Sequence, residues 1–213
     1  MKEFLSPGRY VDSDHPAVVE FARQHVKGSS DVERAMSLYY AVRDGIRYNP
    51  FLDFSRDTAF QGSKCLETGE GFCIGKSALL AACARAVGIP ARVGFADVKN
   101  HLTTPRLAER MGTDLFVYHG FTELWLEGKW VKATPAFNLE LCRKFRVKPL
   151  EFDGRNDSIF HPFDADDRRH MEYLRERGSF ADVPVAEIQR VFRESYPALY
   201  GLGKEAAKEA FSP

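Results

Sequence analysis

Residues 70–95, EGFCIGKSALLAACARAVGIPARVGF, constrain this chain more than any other stretch. From Ile74 to Val87 small and apolar residues run almost without polar interruption, a pattern suited to a helix buried on most sides. Gly88 supplies its C-terminal stop. Such a helix has to sit at the centre of a fold, with other elements packed around it. Cys73 stands at its start, behind Gly69 and Gly71. The sulfur therefore either packs as a small hydrophobe or reacts.

The flanking sequence indicates what surrounds that helix. Residues 15–26 place Val18, Val19, Ala22 and Val26 at helical spacing, with Pro16 suited to a first turn. A second helix follows, in which Ser30 and Glu33 form a capping box and Val32, Ala35, Leu38, Tyr39, Val42 and Ile46 make an apolar stripe. Residues 47–69 mix Pro, Asn, Asp and Gly with aromatics and are expected as a loop with one short helical turn near its end. After Pro90, ARVGFADV has strand character, and YHGFTELWLEGKWVKATP is expected as a hairpin turning around Glu127, Gly128 and Lys129. Helices first and strands later predict an α+β fold. The stretch EFDGRNDSIFHPFDADDRRHMEY is polar and turn-rich, and VAEIQRVFRES before Pro197 is a further helix. At 213 residues, one domain over 1–213 is expected, with a core of about 30–140 and a C-terminal extension of about 141–213.

Thirty Lys and Arg balance thirty Asp and Glu, and no basic block breaks the balance, so nucleic acid is not an expected partner. No apolar stretch reaches the roughly 20 residues of a membrane span, and the first residues lack the apolar core of a secretory signal. The expectation is a cytoplasmic protein with no membrane partner. Cys65, Cys73, Cys83 and Cys142 are separated by seven, nine and 58 residues, which suits neither a disulfide framework nor a zinc site. They are expected as thiols, with no metal and no cofactor. The segment HPFDADDRRHMEY, with two histidines and several acids, is weighed as a metal site and set aside as a solvated turn.

Cysteine attacks as its thiolate, which a helix N-terminus or a neighbouring imidazolium favours. Cys73 meets the first condition, and the free N–H groups there would also receive a developing oxyanion. A base is then needed. Of His15, His25, His101, His119, His161 and His170, only His119 opens a strand of a strongly patterned hairpin. By itself a lone histidine is more often a surface or satisfied core residue.

Four landmarks in order add to this: GEGFC from Gly69, GIPARV from Gly88, HGFTELWL from His119 and GKWVKATP from Gly128. Over about residues 58–137 they resemble the transglutaminase-like superfamily of papain-like cysteine enzymes. The resemblance implies a helix presenting a thiol against an antiparallel sheet that carries the histidine, with Cys73 as nucleophile and His119 as general base and then general acid. It also implies an aspartate on the return strand, where this chain has Thr134. A hydroxyl can hold the imidazole tautomer but barely stabilises its cation. Thr134, Asn138 and Asp153 remain alternatives for the third member. The loss matters less than for serine if the pair rests as thiolate and imidazolium.

Lesser candidates are Glu123, sharing a strand face with His119 but more simply an exposed hairpin carboxylate, and Trp125 and Trp130, which line a cleft or pack across strands. Tyr48 stands in the place from which upstream aromatics of relatives supply a second oxyanion donor. The implied activity is cysteine-dependent acyl transfer on a peptide, protein or small amide, by hydrolysis or to an amine. The alternative is a catalytically silent module that has kept the fold. Substrate and oligomeric state are not legible, and the tail is placed as a possible cover over the cleft.

Overall fold

The computed structural model describes residues 1–100, 107, 109, 111–159, 171–198 and 200. Pro16 opens helix α1 (Pro16–His25), which turns Val18 and Ala22 inward. Helix α2 (Asp31–Gly45) begins with a complete capping box: the Ser30 hydroxyl accepts the Glu33 N–H, and the Glu33 carboxylate accepts the Ser30 N–H. Its apolar stripe, Val32, Ala35, Leu38, Tyr39 and Val42, is buried as the spacing predicts. The loop that follows contains strand β1 (Arg47–Tyr48) and helix α3 (Gly62–Thr68), and strand β2 (Glu70–Gly71) pairs with β1 in parallel.

The small-residue run forms helix α4 (Cys73–Ala86), with every residue from Cys73 to Arg85 buried. Helices α1, α2 and α3 pack around it on one side, and strands β3 (Ala91–Asn100) and β4 (Leu115–Leu126) on the other. Small side chains are what let so many neighbours approach one axis. At Gly120 a Cβ would lie 3.0 Å from the Ile74 Cα, so β4 approaches α4 closely enough that a side chain there would press on the helix backbone. Two residues on, the Thr122 hydroxyl donates to the Ser77 carbonyl (2.9 Å) and ties strand to helix.

Two cations of α4, Lys76 and Arg85, are buried in this setting. Lys76 has no exposed surface, and its ammonium donates to the carbonyls of Arg43 (2.8 Å) and Ile46 (2.6 Å), which end α2. Burial pulls its pKa down to about 7. The side chain satisfies carbonyls that a helix end leaves without partners.

Strand β4 returns as β5 (Lys129–Ala133) through a two-residue turn in which Glu127 and Gly128 have φ of 49° and 83°. That is the hairpin geometry matching the strand twist. Helix α5 (Leu139–Phe145) follows. The chain then adds strand β6 (Met171–Phe180) to the far edge of the sheet, giving the order β5-β4-β3-β6, antiparallel throughout. This strand is a correction: Met171, Glu172 and Tyr173, expected in a turn-rich stretch, begin it. The charged sequence MEYLRERGSF is legible as a half-exposed edge strand only once β3 lies beside it.

Helix α6 (Val185–Ser195) closes the described chain. Just before it, the Asp182 carboxylate accepts the backbone N–H groups of Arg9 (2.7 Å), Tyr10 (3.1 Å) and Val11 (2.9 Å), joining the two ends of the described chain. The architecture is the expected α+β arrangement, a central cysteine-bearing helix against an antiparallel sheet. No helix among the described residues is long and apolar enough to cross a membrane.

Candidate active site

Gly69, with φ of 67°, ends α3 in the left-handed conformation and turns the chain so that Cys73 becomes the first residue of α4. The neighbouring backbone N–H groups of Gly120, on β4, and of Ile74 favour the Cys73 thiolate. Burial outweighs them, because the residue is only 7% exposed, and pushes the thiol up to about 11.

His119 lies on β4 directly before Gly120 and lines the same hollow as Cys73. It is 2% exposed, and burial lowers the imidazole to about 4. Burial thus moves both groups toward their uncharged forms, because each charged form loses hydration there.

The strand carrying His119 is irregular. Ala96 pairs with His119 but Val98 pairs with Phe116, so β4 contains one extra residue, and Tyr118 within it has φ of 53°. A bulge of this kind re-aims the side chains beside it.

The hollow holds about 40 Å³ of free space, room for a water or two. Its walls include Tyr48, Phe54, Phe72, Phe116, Phe192 and Tyr196. Phe54 meets Phe72 at 4.9 Å and Phe192 at 5.3 Å between ring centres. The Tyr196 hydroxyl accepts the Val117 N–H (2.6 Å) and donates to the Leu115 carbonyl (2.8 Å). The chain beyond residue 141 thus reaches the cleft through α6 and the residue after it. Residues 161–170, with two of the histidines of the weighed metal segment, lie outside the described residues, as does His101.

None of the three candidates for a third member lines the hollow. Thr134 is buried, its N–H donates to the Ser158 carbonyl (3.1 Å) and its carbonyl accepts the Tyr39 hydroxyl (3.2 Å). Its own hydroxyl makes no hydrogen bond among the described residues, and the residue lines a separate small void with Phe137 and Cys142. The Asn138 side-chain oxygen accepts the Tyr48 N–H (3.3 Å). Asp153 stays in its own turn, accepting the N–H groups of Arg155 and Asn156 (2.8 Å each), which hold its carboxyl down at about 2.

Glu123 is not the exposed carboxylate expected. It is 5% exposed and paired with Arg92, whose guanidinium lies 4.2 Å from the centre of the Trp130 ring. Trp125 and Trp130 pack edge to face across the hairpin, 5.3 Å apart, away from the hollow. Cys65, Cys83 and Cys142 are buried thiols, and burial pushes Cys65 up to about 12. Sequence reasoning missed Asp97, a 6% exposed carboxylate that accepts the Tyr118 N–H. An acid inside the apolar run ARVGFADV was the available signal.

A family model described as the transglutaminase-like superfamily matches residues 20–135. A search of curated proteins returned no match. Among solved structures the chain is similar to a "Putative Cysteine Protease" from Cytophaga hutchinsonii, with TM-score 0.47, 18% identity, and cover of 83% of this chain and 53% of that one. It is also similar to a "putative protease" from Parabacteroides distasonis (TM-score 0.39, 16% identity, 59% and 25% covered). A structure named as a TGase gives TM-score 0.38 and 19% identity, with 59% and 31% covered. The chain thus spans about half of the first of these proteins and less of the others.

Proposed function

Because the chain belongs to the transglutaminase-like superfamily, we propose that it is a cysteine-dependent acyl-transfer enzyme, with Cys73 as nucleophile and His119 as proton shuttle. The observation that carries this reading is the shared hollow: a thiol at a helix N-terminus and an imidazole on the facing strand line one small cavity. His119 takes the thiol proton as the sulfur bonds to the substrate carbonyl carbon, and the oxyanion meets the N–H groups beside the sulfur. The carbon–nitrogen bond breaks, the leaving amine takes its proton from the imidazolium, and an acyl-thioester remains. Water or a second amine, deprotonated by His119, then releases the acyl group and the thiol is restored. Tyr48, on the cavity wall, stands as the further oxyanion donor. Substrates of this reading are peptides, proteins or small amides, in a reducing compartment such as the cytoplasm.

The competing reading is a silent binding module, and its supporting observation is the uncharged Thr134 in the place of an acid. Labelling of Cys73 by iodoacetamide across pH separates the two. The enzyme reading expects His119→Ala to change the pH profile and slow labelling near neutrality by about 100-fold. Unchanged labelling in that variant would overturn it.

A further inference from the structure

We propose that Asp97 is a positioning residue that sets the aim of His119 by holding the bulge at Tyr118. The proposal rests on His119 being the base, and it concerns residues outside the hollow. Asp97 sits on the central strand β3 where the neighbouring strands on both sides lose register. On β4 the pairing steps from Ala96–His119 to Val98–Phe116. On β6 it steps from Phe95–Gly178 to Ala96–Glu176, and from Asp97–Arg175 to Val98–Tyr173.

These irregularities converge on one carboxylate. Asp97 Oδ1 accepts the N–H of Tyr118 (3.0 Å), whose φ of 53° costs a non-glycine residue strain. The same carboxylate takes three contacts from Arg177, one of the two residues of β6 that the register steps leave unpaired: Nε to Oδ1 at 2.9 Å and to Oδ2 at 3.0 Å, and Nη2 to Oδ2 at 2.7 Å. The Arg177 guanidinium in turn lies 4.8 Å from the centre of the Tyr118 ring. Glu187 of α6 also faces Tyr118 and Arg177.

The physical effect follows from the period of a strand. An extra residue held in the left-handed region shifts which face the following side chain meets. His119 is that following residue, and after it Gly120 approaches α4 and the Cys73 sulfur. A carboxylate clamped by a planar guanidinium is a rigid acceptor for the Tyr118 N–H, one of two that the bulge turns away from the ladder, the Val117 N–H going to the Tyr196 hydroxyl. Asp97 touches no reacting atom in this arrangement, so its effect passes through Tyr118 to the imidazole.

The test uses the full chain and iodoacetamide labelling of Cys73 across pH, with circular dichroism to confirm folding and ¹⁵N shifts to report the His119 ring. Asp97→Ala is expected to slow labelling at neutral pH by about tenfold or more, to shift the pH profile toward that of His119→Ala, and to move the His119 resonances. Asp97→Asn, which keeps an oxygen for the Tyr118 N–H, is expected to restore the rate to within about threefold of the parent. Wild-type rate, profile and shifts in folded Asp97→Ala overturn the proposal. If that variant does not fold, Arg177→Met leaves the acceptor but removes its clamp, and wild-type behaviour there is equally fatal. If His119→Ala itself changes nothing, the enzyme reading falls and this proposal with it. If His119→Ala matters and the Asp97 variants do not, only the positioning role fails.

Discussion

Burial raises the Cys73 thiol to about 11 and lowers the His119 imidazole to about 4, moving each toward its uncharged form. The histidine makes stability depend on pH with a definite sign. Its folded pKa lies below the ordinary value of 6.5, so between those values the unfolded chain binds more protons than the folded one. The stabilisation is present above about pH 6.5 and is lost as pH falls toward 4, an amount on the order of 3 kcal/mol for a shift of this size. Urea unfolding of wild type should show this decline. His119→Gln, which has no proton to gain, should show a shallower one over the same window. At this scale the sequence located both partners but not their charge state, because protonation depends on how much water the surrounding elements leave behind.

Helix α6 was legible from its apolar spacing, yet its relation to the site was not. Phe192, 4% exposed, closes the hollow against Phe54 and Phe72, and Tyr196 pins the following turn to the start of β4. Truncating a buried aromatic of this kind costs about 3–5 kcal/mol. Phe192→Ala should therefore lower the urea midpoint and, in the folded fraction, let iodoacetamide reach Cys73 faster than in the parent. Slower or unchanged labelling would mean that this ring does not limit access. Strand β6 shows the complementary failure: its charged residues resemble a solvated loop until the exposed edge of β3 supplies hydrogen-bond partners.

Across the whole molecule, Asp182 joins segments 171 to 173 residues apart by taking the N–H groups of Arg9, Tyr10 and Val11. Asp182→Ala removes all three acceptor contacts at once. Amide exchange at Tyr10 and Val11 should accelerate by about tenfold or more while amides of α4 keep their protection. Loss of protection in α4 as well would show the clamp to be part of global stability.

The sequence by itself determined the elements whose signals are local. The small-residue run required a central buried helix, Ser30 and Glu33 required a capped start, and the residues around Gly128 required a tight hairpin. It also singled out Cys73 at a helix start and, through the resemblance, His119, which lies four residues inside β4 and not at the opening of the strand as expected. Tertiary structure alone decided what meets that pair. Thr134 stays outside the hollow, Glu123 goes to Arg92, Asp97 sits where the strands on both sides lose register, and α6 brings Phe192 to the wall of the hollow. Local periodicity reports which face of an element is apolar. It carries no record of which distant carboxylate, ring or strand edge will fill the space opposite, because those contacts depend on how the elements pack.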